Sequence, residues 1–418
     1  MKRHFILVAV GSAGDVHPMA AVAQALKSRG HRVTLIASGY FAELADAMRL
    51  DFVGLGTRAE YQEAMRDPEL WHPRRGLVAI WKRISPHLQD CLDWIQANRD
   101  ENTVLVGTTL ALSARIARDT SGLPLATIHL APMALMSAND PPQIQHGALP
   151  GWIPRAWVNA LWNLADLWLL DPAIAPDINA IRQKAGLPPV KHIMRRYIHS
   201  PDKVLLLYPE WFAPNPGDWP ANSECMGFPR FDEAGLNALP EGLEEFLEAG
   251  EKPLLFTPGS AMQHAHRFFE NAVACCKTLN KRGIIVTPYP QQLPPLPANI
   301  KRFDYIPFSQ VLSRVALVAH HGGIGTCSQG LAAGIPQLVV ANAHDQFDNG
   351  NRLKRLGVGD FLSTQASADQ FTQTVSTLLN LAQSSLAFEH WQQQLQSPPA
   401  VLENICQRLE AVSFRASY

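Results

Sequence analysis

Short apolar runs alternate with amphipathic stretches, and the alternation occurs twice along the chain. In the first half the runs are "HFILVAV", "HRVTLIA", "TVLVGTT" and "PLATIHL"; in the second they are "KPLLFTPGS", "GIIVTPY", "VALVAH" and "PQLVVA". Each is short, rich in aliphatic and β-branched residues and bounded by polar or turn-forming residues, the pattern of strands buried on both faces. Between the first two runs, Met19, Val22, Ala23 and Leu26 fall on one helical face and predict a helix over 19–29. Strands alternating with helices predict a doubly wound parallel sheet in each half. Residues 208–232 are dense in Pro, Gly, Asn and Asp, and read as the connector between halves. Open parallel sheets bind ligands beyond the carboxyl ends of their strands, so two facing sheets predict a cleft between them.

Composition narrows the function. With 418 residues the chain exceeds one compact core, and its net charge of -1 lacks the basic footprint that nucleic acid demands. The apolar run Phe5 to Val10 is shorter than the roughly 7–15 residues of an export signal, and no segment reaches the roughly 20 apolar residues of a membrane-spanning helix. Six cysteines without zinc-like spacing fit a reduced, cytoplasmic protein.

Candidate chemistry lies in the turns after strands. "GSAGDVHP", Gly11 to Pro18, has neither the G-x-G-x-x-G spacing nor the following acidic residue of a dinucleotide site. It reads as a flexible turn carrying Asp15, which either caps the following helix or presents a carboxylate to the cleft. "HHGGIGT", His320 to Thr326, also joins a strand to a helix. Adjacent histidines do not converge easily on one metal ion, and no Walker Gly-Lys-Ser/Thr occurs, so a phosphate cradle is the better reading. Past the next strand, Asp345 and Gln346 pair a carboxylate with an amide, suited to neighbouring sugar hydroxyls.

With these stretches in view, the chain resembles family 1 glycosyltransferases of the GT-B fold, an α/β architecture of two facing Rossmann-like domains. "HHGGIGTCSQGLAAGIPQLVVANAHDQFDN" is similar to their donor-binding signature. "GSAGDVHP", "APDINAIRQKAGL", "PEWFAP", "GFPRFD" and "AHDQFDN" resemble bacterial rhamnosyltransferases that build rhamnolipid from hydroxyalkanoyloxy-alkanoic acids. The resemblance implies an acceptor domain over 1–215, a linker over 216–232, a donor domain over 233–395, and a helical segment over 396–418 returning to the first domain. It makes Asp15 the general base and assigns the diphosphate to His320, Gly322, Gly323, Gly325 and Thr326. Ser260 matches a second phosphate loop, although Pro258 lacks the N–H expected there. Tyr305 and Ile306 fall where the nucleobase is gripped, and Asp345 and Gln346 where the sugar is. The expected co-substrate is dTDP-L-rhamnose, then UDP-glucose; no cofactor is expected, and with no D-x-D in the chain, no metal.

The acceptor is less legible. Gly14, His17, Met133 and Trp168 are candidate contacts, with Trp71 and Trp81 similar but undecided. Trp157, Leu161, Leu164 and Trp168 share a helical face. The plain expectation is a core-facing helix; a lipid-channel wall or an interfacial helix is the alternative. "KHIMRRYIH", Lys191 to His199, reads first as a solvated basic helix face, with contact to an acceptor carboxylate or acidic lipid heads as the alternative. Expected partners are the nucleotide sugar and an amphipathic hydroxy acid, with peripheral contact at the inner membrane left open and no nucleic acid. Transfer to a polyketide, carotenoid or sterol-like hydroxyl is the enzymatic alternative. A silent nucleotide-sugar-binding partner is the other, and an epimerase fits the apolar first half poorly.

Overall fold

A computed structural model describes residues 2–72, 75–145, 147, 149–232, 239–260 and 262–414. The first sheet contains β1 (His4–Val8), β2 (Arg32–Ser38), β3 (Asp51–Leu55), β4 (Thr103–Thr108), β5 (Leu125–His129), β6 (Lys203–Leu206) and β7 (Ser223–Cys225). The second contains β8 (Leu254–Thr257), β9 (Gly283–Val286), β10 (Ile300–Phe303), β11 (Leu317–His320), β12 (Gln337–Ala341) and β13 (Gly359–Ser363). All pairings are parallel, in the orders β3-β2-β1-β4-β5-β6-β7 and β10-β9-β8-β11-β12-β13. Strand order reverses between β1 and β4 in one sheet and between β8 and β11 in the other. At such points the following loops splay to opposite faces and leave a crevice.

Every apolar run picked from the sequence is a strand. The strands it missed are β6 and the edges β3, β7, β10 and β13, where one neighbour suffices and polar residues are tolerated. The first helix differs from expectation. It begins at Ala13, not Met19, so most of the supposed turn is already helical, and Pro18 lies inside it. The connector also does more than link, because β7 within it extends the first sheet.

Clusters of buried side chains cover both faces of each sheet. Another joins the halves: Tyr208, Phe212 and Phe228 of the connector pack with Cys327, Val339 and Phe347. The final helix, Pro398–Glu410, crosses back and buries Val401, Ile405 and Leu409 against the first sheet's core. Arg29 secures it through Glu403 and Glu410, each at 2.7 Å.

Two expectations are corrected between β5 and β6. The stripe on helix Arg155–Ala165 faces solvent, and only Val158 of that helix is buried. The supposed solvated basic face is half core. Ile193 and Tyr197 are buried, and the N–H groups of Met194 and Arg195 donate to the buried Asp166. Among the described residues no helix is long and apolar enough to cross a membrane.

Candidate functional site

The loop after β1 is built around one glycine. Gly11 has φ +138°, and a Cβ there would lie 2.1 Å from Asp15 Oδ2, so only glycine lets the carboxylate fold back over the turn. The Ser12 N–H donates to Asp15 Oδ2 at 2.8 Å and the Ser12 hydroxyl reaches the same oxygen at 3.4 Å. Asp15 therefore does cap the helix, but through Oδ2, and Oδ1 stays available. Burial pushes its carboxyl up to about 7; the Ser12 hydrogen bond opposes this, and the charge of Asp345 in the other half adds to it.

Aromatic rings wall this carboxylate. Tyr40 stacks on Tyr61 at 4.5 Å, Phe41 meets Tyr61 edge-on, and His17 lies between Phe41 and Phe231. Burial holds His17 down to about 4, leaving it neutral. Gly14 is exposed on the same first turn, and Met133 is half-buried in the short turn after β5. Trp168 does not join them: it lies on the outward stripe, largely exposed.

The loop after β11 changes one assignment. His320, expected at the phosphate, is fully buried with both ring nitrogens engaged. Nδ1 accepts from the Gly322 N–H at 3.1 Å, which leaves Nε2 to donate to Gln337 Oε1 at 3.1 Å. Its imidazole shapes the loop from below. His321 is the ring that reaches the next loop: Cβ atoms at Gly259 and Gly323 would lie 2.8 Å and 2.4 Å from it. Its Nδ1 is a buried atom with no hydrogen-bond partner, and burial holds the ring down to about 4. Such an orphaned nitrogen is costly unless a ligand satisfies it. Helix Ile324–Ala333 starts here with Gly323 as its cap, so its first N–H groups are directed at the same space. Gly322 is buried, Gly325 is exposed in open space and Thr326 is half-buried in the first turn.

Asp345 occupies the N-cap position of the next helix, Gln346–Arg355, without a side-chain bond to the backbone of its first turn. Burial raises its carboxyl to about 6, against a 2.7 Å bond from Asn349 Nδ2. The same nitrogen donates to the Gly322 carbonyl at 2.9 Å, tying the carboxylate to the glycine loop. Gln346 is buried, and its Oε1 accepts from the N–H groups of Asn342 and Ala343, which leaves its amide nitrogen for another partner.

The remaining expected residues divide. Ser260 is exposed beside Gly259, at the tip of the loop after β8. Next to Pro258, the Gly259 N–H turns inward and donates to Thr257 Oγ1 at 3.3 Å. The Tyr305 hydroxyl donates to the Asp232 carbonyl and so ties down the connector. Ile306 is buried in the second sheet's core, so its side chain is not free to grip a base. Sequence reading missed His321 and Asn349. The second was signalled by its position one helical turn after Asp345.

Contacts close the crevice from both halves. His344, at φ +56°, meets the Leu70 carbonyl at 2.8 Å. Asp140 holds Arg352 and Arg355 of the helix that Asp345 begins, at 3.2 Å and 3.0 Å. Among the described residues no group of three His, Cys, Asp or Glu side chains is placed to hold a metal ion.

Comparison with known proteins agrees with this architecture. Residues 5–135 match the glycosyltransferase family 28 N-terminal domain, and residues 281–412 match the erythromycin biosynthesis protein CIII-like C-terminal domain. O-mycaminosyltylonolide 6-deoxyallosyltransferase of Streptomyces fradiae is 28% identical over 373 residues, spanning 84% of this chain and 83% of that protein. The glycotransferase of kitacinnamycin superposes with a TM-score of 0.75 at 19% identity, covering 98% of this chain and 99% of its own. Spinosyn rhamnosyltransferase SpnG, complexed with thymidine diphosphate, superposes at 0.65 with 19% identity, covering 96% and 99%. Two parallel sheets of this order, with loops converging from both switch points, define the GT-B fold. The protein is a glycosyltransferase.

Proposed function

We propose that the enzyme transfers a hexose, with inversion, from a nucleotide diphosphate sugar to the hydroxyl of a hydroxyalkanoyloxy-alkanoic acid. L-rhamnose from dTDP-rhamnose is the first donor and D-glucose from UDP-glucose the second. Residues 1–215 take the acceptor, 216–232 link, 233–395 take the donor, and 396–418 return to the first half. The observation that carries the transfer chemistry is the placement of Asp15, held by the Ser12 N–H at the end of β1 across the crevice from Asp345, where burial pushes its carboxyl up to about 7. A base poised near neutral pH accepts a proton without being too weak to attract one.

In the transfer step the acceptor oxygen attacks the anomeric carbon while its proton passes to Asp15 Oδ1. The bond from the anomeric carbon to the diphosphate oxygen breaks, and the electron pair leaves with the diphosphate. The growing negative charge meets His321 and the N-terminus of helix Ile324–Ala333. Asp345 and the Gln346 amide nitrogen hold sugar hydroxyls, and Ser260 and Thr326 offer hydroxyl donors to the phosphates. Tyr305 lines the nucleobase end. No metal is needed in this scheme. Gly14, His17 and Met133 border the acceptor, and peripheral bilayer contact belongs to the same reading. The thymidine diphosphate complex of SpnG supports a dTDP donor.

The Streptomyces relative, O-mycaminosyltylonolide 6-deoxyallosyltransferase, supports a second reading, transfer to a polyketide, carotenoid or sterol-like hydroxyl. Paired turnover with dTDP-L-rhamnose and UDP-glucose, in chelator and read by mass spectrometry, separates the two. A glycolipid from the hydroxy acid supports the first; product only from a polyketide or sterol-like alcohol supports the second. Donor binding without turnover on any acceptor makes the protein a silent partner.

A further inference from the structure

We infer that residues 152–169, helix Arg155–Ala165 with the segment before it and the helical turn after it, form a docking face for an anionic lipid bilayer. Exposure there is high for large apolar residues: Trp152 81%, Trp157 72%, Leu161 49%, Leu164 54%, Trp168 72% and Leu169 69%. Elsewhere in the described chain exposed residues of this size are scattered singly. A water-facing helix normally turns such a stripe inward, and a contiguous patch of this kind marks an interaction surface.

Composition and charge select the occupant. Three of the six are tryptophans, whose amphipathic rings favour the headgroup level of a bilayer. Arg155 opens the helix and is exposed; Arg195 lies along its flank, bonded to Asn159 at 3.0 Å and Asn163 at 2.9 Å. Lys191 and Arg196 are exposed close by in the chain. Of the three acidic side chains over residues 150–200, Asp166 and Asp171 are buried; the exposed Asp177 is engaged by the Trp81 indole N–H at 2.8 Å. A second copy meeting this face about a two-fold axis would set these cations against one another, whereas anionic headgroups complement them.

The inference rests on the proposed lipid acceptor for its purpose, since an amphipathic substrate concentrates in membranes. Bilayer capture itself is independent of the transfer chemistry. The test is flotation of the full chain with vesicles of phosphatidylglycerol and phosphatidylcholine, against vesicles of phosphatidylcholine alone. The expected result is co-flotation with the anionic vesicles, reduced at least tenfold by Trp157→Ser combined with Leu161→Ser and Leu164→Ser, and weakened by salt. The same variant should keep nucleotide-sugar binding and turnover of a short, soluble hydroxy acid. Wild-type protein that stays in solution with anionic vesicles overturns the inference, whether or not it makes glycolipid. So does a wild-type dimer that the variant converts to monomer in sedimentation velocity. Vesicle capture without glycolipid formation leaves this inference standing and removes the lipid acceptor.

Discussion

Asp15 and Asp345 stand at the carboxyl ends of strands in opposite sheets, and the charge of the second raises the pKa of the first. Both are buried enough that water does not screen the pair fully. A carboxyl group in this position therefore keeps its proton to a higher pH than an exposed one.

Asp15→Asn removes the base and keeps an oxygen able to accept from Ser12. Transfer should fall by about 10²–10⁴-fold, the usual worth of general base catalysis. Nucleotide-sugar affinity, read by calorimetry, should stay within twofold. Unchanged turnover would remove Asp15 from the mechanism.

The pH profile follows from the raised carboxyl. Asp15 must be ionised to act, so kcat/KM should fall about tenfold per pH unit below about 7 and level off above it. Stability runs the other way. The folded pKa exceeds the ordinary value of 3.8, so this contribution is complete below that value and lost as pH rises through about 7. Thermal melts should therefore show Asp15→Asn gaining on wild type at pH 8 relative to pH 4.

The two adjacent histidines should separate cleanly. His320→Ala leaves the Gly322 N–H and the Gln337 amide oxygen unpaired in the core, at a cost of about 1–3 kcal/mol each. A marked fall in Tm is expected. His321→Ala should melt near wild type and bind nucleoside diphosphate at least tenfold more weakly. The opposite pattern would return the phosphate to His320.

Asn349 is a positioning residue, since it holds Asp345 and Gly322 at once. Asn349→Ala should raise KM for the nucleotide sugar about tenfold, in line with the loss of a buried charge-assisted hydrogen bond. Acceptor KM should be unaffected. Equal losses in both constants would indicate general loosening instead.

Much of this was legible in the chain. The buried strands announced themselves because parallel strands are apolar on both faces, and "HHGGIGT" and "NAHDQFDN" lie where the crevice is. Edge strands such as "SEC" carry no such signal, because half their surroundings are solvent or loop. Choosing between His320 and His321 depends on which ring the last strand residue turns into the sheet, and adjacency in sequence does not show that. The outward stripe was misleading for a related reason. Helical periodicity says which residues share a face, not whether protein covers it.

The chain passes between the halves at the connector and again before the final helix. The passages touch: Arg230 Nη2 donates to the Gln396 carbonyl at 2.8 Å, and a Cβ at Gly227 would lie 3.1 Å from Val401. Two covalent strands side by side make a hinge with one axis, as paired pins do on a door. Rotation about that line would strain neither crossing, whereas twisting or sliding would stretch one against the other. Any closing motion about it would return Asp15 to the same place opposite Asp345.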